Sequence, residues 1–96
     1  DSMIGAGIYP NDILIVDRSI TPKHGSIVIA VINGELTVKR LNVRGDQRLL
    51  EAANPSYKAI RITQDMDLWC WGVVTSAIHQ FTSSAKSTGS KKPHIT

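Results

Sequence analysis

The sequence predicts a small, mainly β domain, and three observations support this fold class. Short runs of β-branched and aliphatic residues recur along the chain. Gly, Pro and Asn separate these runs at intervals of about ten residues, as turns do in antiparallel sheets. The 96 residues, of which 42% are hydrophobic, suit one domain with a single core.

The clearest predicted element is a β-hairpin centred on Asn33-Gly34. This dipeptide tolerates positive φ at both central positions of a type I′ turn, which joins two strands through a two-residue loop. A β-branched run at 27–32 precedes it, and a second strand pattern at 35–41 follows. The two runs therefore predict antiparallel strands in a fixed register.

Lys39 stands out because it is a charged residue inside an otherwise apolar strand. Counting outward from the loop places Lys39 opposite Val28 and Thr37 opposite Ala30. Side chains alternate along a strand, so this register puts the lysine on an apolar face and Arg40 on the other. Loss of hydration disfavours the charged form of an amine, and a neutral amine can act as a base. The alternative is a structural lysine whose ammonium extends to water.

The other predicted strands are less sharply defined. They cover 13–16, 48–52, 59–63 and a last strand that starts at Trp69 and runs on towards Phe81. Residues 42–47 are predicted to be a polar turn, and Ser2 a cap for a short helical turn. Simple alternation puts Trp69 and Trp71 on one face, which suits either core packing or a subunit interface.

The charge pattern divides the chain into a core, residues 1–81, and a flexible polar tail, residues 82–96. The core carries eight Lys or Arg and eight Asp or Glu, so the net charge of +3 comes wholly from the tail, through Lys86, Lys91 and Lys92. A neutral core lacks the basic stripe of a phosphate binder, so direct nucleic-acid binding by the core is disfavoured.

Several classes of site are not expected. No run approaches the roughly 20 apolar residues of a membrane span, and the chain opens without a signal segment. The lone Cys70 fits a reducing compartment, which makes a cytoplasmic protein the expectation, and it is interpreted as a small hydrophobe rather than a nucleophile. His24, His79, His94 and Cys70 lack the close spacing of metal ligands, so neither a metal nor another cofactor is predicted.

Two motifs together carry a family resemblance: Ser2-Met3-Ile4 near the start and Thr37-Val38-Lys39 in the hairpin. With both in view, the sequence resembles the self-cleaving LexA/UmuD family of serine-lysine peptidases, and most closely its UmuD-like mutagenesis proteins. The other matching segments are Ala6-Gly7-Ile8, Asp12-Ile13-Leu14-Ile15-Val16-Asp17, His24-Gly25-Ser26-Ile27-Val28-Ile29-Ala30, Gly34-Glu35, Leu41 and Gly72-Val73-Val74. The resemblance implies a small peptidase domain of short, twisted antiparallel strands.

The resemblance also implies roles for individual residues. Ser2 would be the nucleophile, Lys39 the general base that takes its proton, and the backbone N–H of Ser2 a donor to the oxyanion. Family members cut a Cys-Gly or Ala-Gly bond in their own N-terminal arm when a RecA filament promotes it. No such bond precedes Ser2 here, and Ala6-Gly7 lies too close behind the serine to reach it. The chain is therefore expected to be a processed core.

Two positions depart from the family pattern. Asn11 stands where the pattern prefers Gly, and Ser26 stands where it prefers Asp. Both fall in predicted turns, outside the motifs that contain the serine and the lysine.

Four functions are compatible with the sequence. The first is a UmuD-like accessory subunit, which dimerises, with the last strand as a candidate interface, and joins a UmuC-like translesion polymerase in the SOS response. The second is the cleavage and dimerisation domain of a LexA-like repressor. The third, a signal-peptidase-like enzyme, is disfavoured because a membrane anchor and a later Gly-Asp-Asn-Ser box are missing. The fourth is a binding module in which Ser2 and Lys39 are inert.

Overall fold

The computed structural model describes residues 3–53, 58–64, 66 and 68–82. Within these ranges the chain forms one antiparallel sheet in the order β1-β6-β2-β3-β4-β5, and a short 3₁₀ helix, Ile4–Ala6, precedes it. The strands are β1 (Ile13–Asp17), β2 (Ile27–Ile32), β3 (Glu35–Arg44), β4 (Gln47–Glu51), β5 (Ile60–Arg61) and β6 (Cys70–Ile78). The predicted mainly β fold is confirmed.

The β2–β3 hairpin has the predicted turn and the predicted register. Asn33 and Gly34 have φ values of 52° and 80°, as both central residues of a type I′ turn require. Ile32 pairs with Glu35, and the pairing continues without a shift to Ile27 and Arg40. The local sequence therefore fixes which residues of the hairpin share a face.

The prediction of a turn over residues 42–47 is wrong, because β3 continues to Arg44. Only Gly45 and Asp46 form the loop, since Arg44 pairs with Gln47. Gly45 has a φ of 60°, which suits the first position of a two-residue hairpin loop. The polar Asn42 is accommodated inside the strand because its side-chain amide donates a hydrogen bond of 2.9 Å to the Glu51 carboxylate.

The core lies on one face of the central strands. Its buried side chains come from β2, β3, β4, β6 and the segment after β5: Val28, Ala30, Leu41, Leu50, Ile62 and Val73. The face that buries Val28 is also the face of Lys39, because the two residues are directly paired. The core thus extends up to the lysine.

The two tryptophans occupy different environments, contrary to the simple alternation. The pairing of β2 with β6 is irregular between Ile29 and Ala30, where an extra residue of β6 interrupts the two-residue period. Trp69 packs against the core, whereas Trp71 is exposed and stacks beneath the Arg18 guanidinium at 4.4 Å. Local pattern cannot reveal such a bulge, because it depends on the partner strand.

The boundary between the core and the predicted tail stays a prediction. Residues 83–96, which make up nearly all of the tail, lie outside the described residues. Over the ranges that the structure does describe, no helix has the length and apolar character to cross a membrane.

Candidate active site

Lys39 lies on the buried face of β3, directly opposite Val28, as the sequence predicts. Its relative exposure is only 9%, and its side chain has an interaction partner. Val28 is fully buried, and Leu41, two positions further along β3, is buried as well. Arg40 alternates to the other face of the strand. The structure therefore separates the two adjacent cations and directs the lysine towards the interior.

Ser2, the predicted nucleophile, lies outside the described residues, so its backbone N–H, the predicted oxyanion donor, does too. The next residue, Met3, is buried, with 4% of its surface exposed. The 3₁₀ helix has Met3 at its N-cap position without a side-chain hydrogen bond. The predicted short helical turn is therefore present, and it begins at Met3 rather than at a capping Ser2.

A groove of about 310 Å³ joins the N-terminal segment to the strand that carries Lys39. Its lining includes Met3 and also Thr37 and Val38, the two residues before Lys39. The remaining lining residues are Ile8, Tyr9, Pro10 and Leu36. The residue after the predicted nucleophile and the residues before the predicted base thus line one groove.

Gly5 brings the N-terminal segment close to the end of β4. A Cβ atom at Gly5 would overlap the carbonyl oxygen of Ala53, which follows β4 by two residues. Glu51, the last residue of β4, pairs with Arg40, so Ala53 lies near the part of β3 that contains Lys39. The absence of a side chain at Gly5 is what allows this close approach of the two backbone segments.

Tyr9 and Asp12 close a tight turn between the 3₁₀ helix and β1. The Tyr9 N–H donates to Asp12 Oδ2 at 2.8 Å, and the Asp12 N–H donates to the Tyr9 carbonyl at 3.1 Å. Asn11, inside this turn, has a φ of 68°. Glycine adopts this left-handed conformation most easily and asparagine tolerates it, so the family preference for Gly and the presence of Asn have one explanation.

The second departure from the family pattern is also local. Ser26 Oγ accepts a hydrogen bond of 2.9 Å from the Lys23 N–H in the turn before β2. The carboxylate of an aspartate accepts the same kind of bond, so serine preserves the turn.

Two histidines have structural contacts that the sequence did not predict. His24 Nδ1 accepts a hydrogen bond of 3.0 Å from the Val43 N–H of β3. His79 Nδ1 lies 2.7 Å from Asp12 Oδ1, just beyond the last residue pair of β1 and β6, Ile13 with Ile78. Nothing in the local sequence signals these contacts, because each one depends on the register of strands that are distant in the chain.

Cys70 is half-buried, and its sulfur lies 3.5 Å from the Gly72 carbonyl oxygen. Burial raises the pKa of the Cys70 thiol, and this disfavours the thiolate that a nucleophile needs. The cysteine also packs against the core, in keeping with its interpretation as a small hydrophobe. Across the described residues, His, Cys, Asp and Glu form no group of three or more that could hold a metal ion.

Comparison with known proteins shows what the whole sequence resembles. The profile of the peptidase S24-like family matches residues 1–75. The LexA repressor of Syntrophotalea carbinolica is 40% identical over 84 residues, which are 88% of this chain and 42% of that protein. Protein ImpA of Salmonella typhimurium is 44% identical over 80 residues, 83% of this chain and 54% of that protein. Protein MucA of the same organism is 42% identical over 78 residues, 80% of this chain and 53% of that protein.

The chain therefore belongs to the peptidase S24-like family, because the family match covers most of its length. The resemblance that the two short motifs indicate is confirmed by relatives of both the LexA and the ImpA and MucA types. The chain spans about half the length of the curated relatives it matches.

Proposed function

We propose that this member of the peptidase S24-like family is a serine-lysine endopeptidase that cuts an N-terminal arm upstream of its own serine. Ser2 is the nucleophile and Lys39 the general base. The observation that carries the proposal is the burial of Lys39 on an apolar face, directly after Thr37 and Val38, which line a groove together with Met3. The neutral amine of a lysine is the form that can accept a proton from a serine hydroxyl.

The proposed reaction has two stages. As Ser2 Oγ attacks the carbonyl carbon of the scissile amide, the Lys39 amine takes the hydroxyl proton, and the C–N bond then breaks as the lysine returns that proton to the departing amine. The acyl-enzyme ester left on Ser2 is attacked by water, which gives one proton to the lysine and then to the serine oxygen. The backbone N–H of Ser2 donates to the oxyanion at both stages.

The inert alternative, a lysine that extends to water, fits the structure less well. A snorkelling lysine keeps its head in solvent, whereas Lys39 is almost wholly buried opposite the fully buried Val28. An unreactive buried lysine would also give the fold little advantage over an apolar residue of similar volume. A role as the general base therefore explains a lysine at this position better than a structural role does.

We also propose that the processed form is an accessory subunit of a UmuC-like translesion polymerase in the SOS response. The similarity to ImpA and MucA supports this role, and a RecA filament is the proposed activator of cleavage. We propose that the protein meets these partners in the cytoplasm. A homodimer can form through the end of β6, because the paired Ile13 and Ile78 are each almost half exposed and Phe81 is nearly fully exposed.

A second candidate is the cleavage and dimerisation domain of a LexA-like repressor. The 40% identity to the LexA repressor of S. carbinolica supports it. The residues upstream of Asp1 in the natural gene discriminate the two candidates. A helix-turn-helix there supports the repressor, whereas a short arm with an Ala-Gly or Cys-Gly bond supports the polymerase subunit.

Self-cleavage tests the peptidase itself. The chain is extended upstream of Asp1 by an arm that contains an Ala-Gly bond and is incubated at alkaline pH, where more of any lysine amine is neutral. We expect cleavage at that bond, measured by mass spectrometry. Lys39→Ala should slow cleavage by about 10²- to 10⁴-fold, the usual contribution of a general base.

Arg40→Ala is the matched control, because it removes the neighbouring cation from the opposite face of β3. Its cleavage rate should stay close to that of the wild-type chain. The proposal is overturned if the extended wild-type chain stays intact, or if Lys39→Ala cuts as fast as Arg40→Ala.

A further inference from the structure

His79 forms a hydrogen bond with Asp12 at the open end of the β1–β6 ladder. Its Nδ1 lies 2.7 Å from Asp12 Oδ1, and the two residues follow directly on the last strand pair, Ile13 with Ile78. The Asp12 side chain is 1% exposed, whereas that of His79 is 48% exposed. A carboxylate oxygen can only accept, so Nδ1 carries the hydrogen. The histidine thus covers and holds a carboxylate that is almost completely enclosed.

Asp12 transmits this contact to the turn before β1. Its second oxygen accepts the Tyr9 N–H, while its own N–H donates to the Tyr9 carbonyl. The Tyr9 N–H is the main cause that lowers the pKa of Asp12, burial opposes it, and the hydrogen bond and charge of His79 lower the pKa further. Asp12 is therefore a carboxylate at neutral pH and accepts the hydrogen bond from His79.

Tyr9 in turn forms part of the candidate active site. It lines the groove together with Met3 and Val38. The residue before it, Ile8, donates its N–H to the Met3 carbonyl at 3.2 Å. A chain of contacts therefore runs from His79 through Asp12 and Tyr9 to Met3, the residue next to the proposed nucleophile.

Ring contacts reinforce the same arrangement. The imidazole of His79 lies 5.3 Å from the Tyr9 ring and 5.4 Å from the Phe81 ring, measured between ring centroids. His79 therefore contacts the turn through both a hydrogen bond and an aromatic face. These two contributions can be separated by substitution.

We infer that His79 is a positioning residue for the peptidase: its hydrogen bond to Asp12 holds the Tyr9 wall of the groove and the Met3 segment in register with Lys39. The inference rests on the proposed function. His79 touches no reacting atom, and it acts by fixing the segment that carries the nucleophile. Misplacement of a reacting group by about 1 Å can slow a reaction about 10²-fold, so a positioning contact of this kind has a large expected effect.

Two substitutions separate the hydrogen bond from the ring contacts. His79→Phe keeps an aromatic ring near Tyr9 and Phe81 but has no donor for Asp12. His79→Asn keeps an N–H close to the position of Nδ1 but has no ring. Self-cleavage of the extended chain is measured for both, as the first-order rate constant per folded molecule, with the folded fraction taken from urea denaturation.

We expect His79→Phe to cut about 10- to 100-fold more slowly than the wild-type chain, and His79→Asn to recover most of the rate. Gln80→Ala, the exposed neighbour in the chain, is the control and should cut at the wild-type rate. The inference is overturned if His79→Phe cuts at the wild-type rate, if His79→Asn is as slow as His79→Phe, or if the loss of rate only follows the loss of folded protein. A wild-type chain that does not cut at all overturns the peptidase proposal itself, and the role of His79 with it.

Discussion

The hairpin that carries Lys39 and the N-terminal segment that carries Met3 are held in place in different ways. The hairpin has a two-residue turn, an unbroken register and fully buried side chains such as Val28. The N-terminal segment has a three-residue 3₁₀ helix without a buried residue, and its distant contacts include the Gly5–Ala53 approach and the Asp12–His79 pair. The strand that carries Lys39 is thus positioned by local sequence, and the segment that contains Met3 and Gly5 by contacts with distant parts of the chain.

The largest expected effect on stability belongs to the sheet. Leu50 of β4 is fully buried in the core that supports the hairpin. Leu50→Ala should lower the free energy of unfolding by about 2–5 kcal/mol, measured by urea denaturation, because it leaves a cavity. Leu68→Ala, at a side chain that is 85% exposed, is the control and should change stability by less than about 0.5 kcal/mol. Equal losses in the two variants would contradict the assigned core.

An intermediate effect is expected where the N-terminal segment meets Ala53. Gly5→Ala puts a methyl group into the Ala53 carbonyl, so the backbone must move. We expect a loss of about 1–3 kcal/mol in the free energy of unfolding, and slower self-cleavage of the extended chain per folded molecule.

Gly45→Ala is the control for the loss of a glycine. Gly45 has a φ of 60° and open space around it, so alanine there costs about 1–2 kcal/mol of backbone strain without moving the N-terminal segment. Its cleavage rate per folded molecule should equal that of the wild-type chain. If Gly5→Ala also cuts at that rate, the close approach to Ala53 does not position the nucleophile.

The smallest expected effect is a pH dependence of stability at the end of β1. Hydrogen bonds from the hydroxyl and N–H of Ser19 lower the pKa of Asp17 below its ordinary value of 3.8. Because the pKa of Asp17 is lower in the folded state, its ionised carboxylate stabilises the fold above pH 3.8. This stabilisation is lost as the pH falls through the folded-state pKa. Asp17→Asn should therefore show a shallower loss of stability than the wild-type chain on acidification, measured by urea denaturation at several pH values.

Ser19→Ala removes only the hydroxyl donor. Its loss of stability on acidification should lie between that of the wild-type chain and that of Asp17→Asn. An acid profile of Asp17→Asn that matches that of the wild-type chain would contradict the assignment. This test reports on the sheet edge alone, so the N-terminal segment should not influence its outcome.

The parts of the fold that depend on neighbouring residues could be predicted from the sequence. The Asn33-Gly34 turn fixed the β2–β3 register, and from it the burial of Lys39 opposite Val28 followed. The sequence predicts a turn at the polar end of β3, whereas Asn42 stays in the strand because Glu51 of the paired strand β4 accepts its hydrogen bond. Cross-strand partners of this kind are set by the register of the folded sheet.

The candidate site could be predicted only in part for the same reason. Lys39 was identified from its own strand, and Ser2 from its family motif, but Ser2 lies outside the described residues. The Asp12–His79 pair joins residues 67 positions apart and depends on the β1–β6 pairing, which contains a register shift between Ile15 and Val16. No spacing rule within either segment predicts that contact.

The two-residue loop at Asn33 and Gly34 also decides which cation faces the interior. Lys39 and Arg40 are consecutive, and only the lysine amine can give up its proton, because a guanidinium stays protonated in proteins. Sliding one strand past the other by a single residue would exchange them and turn the Arg40 guanidinium towards the interior. The length of this loop therefore decides whether the interior side chain is a lysine, which can serve as the proposed general base, or an arginine, which stays positively charged.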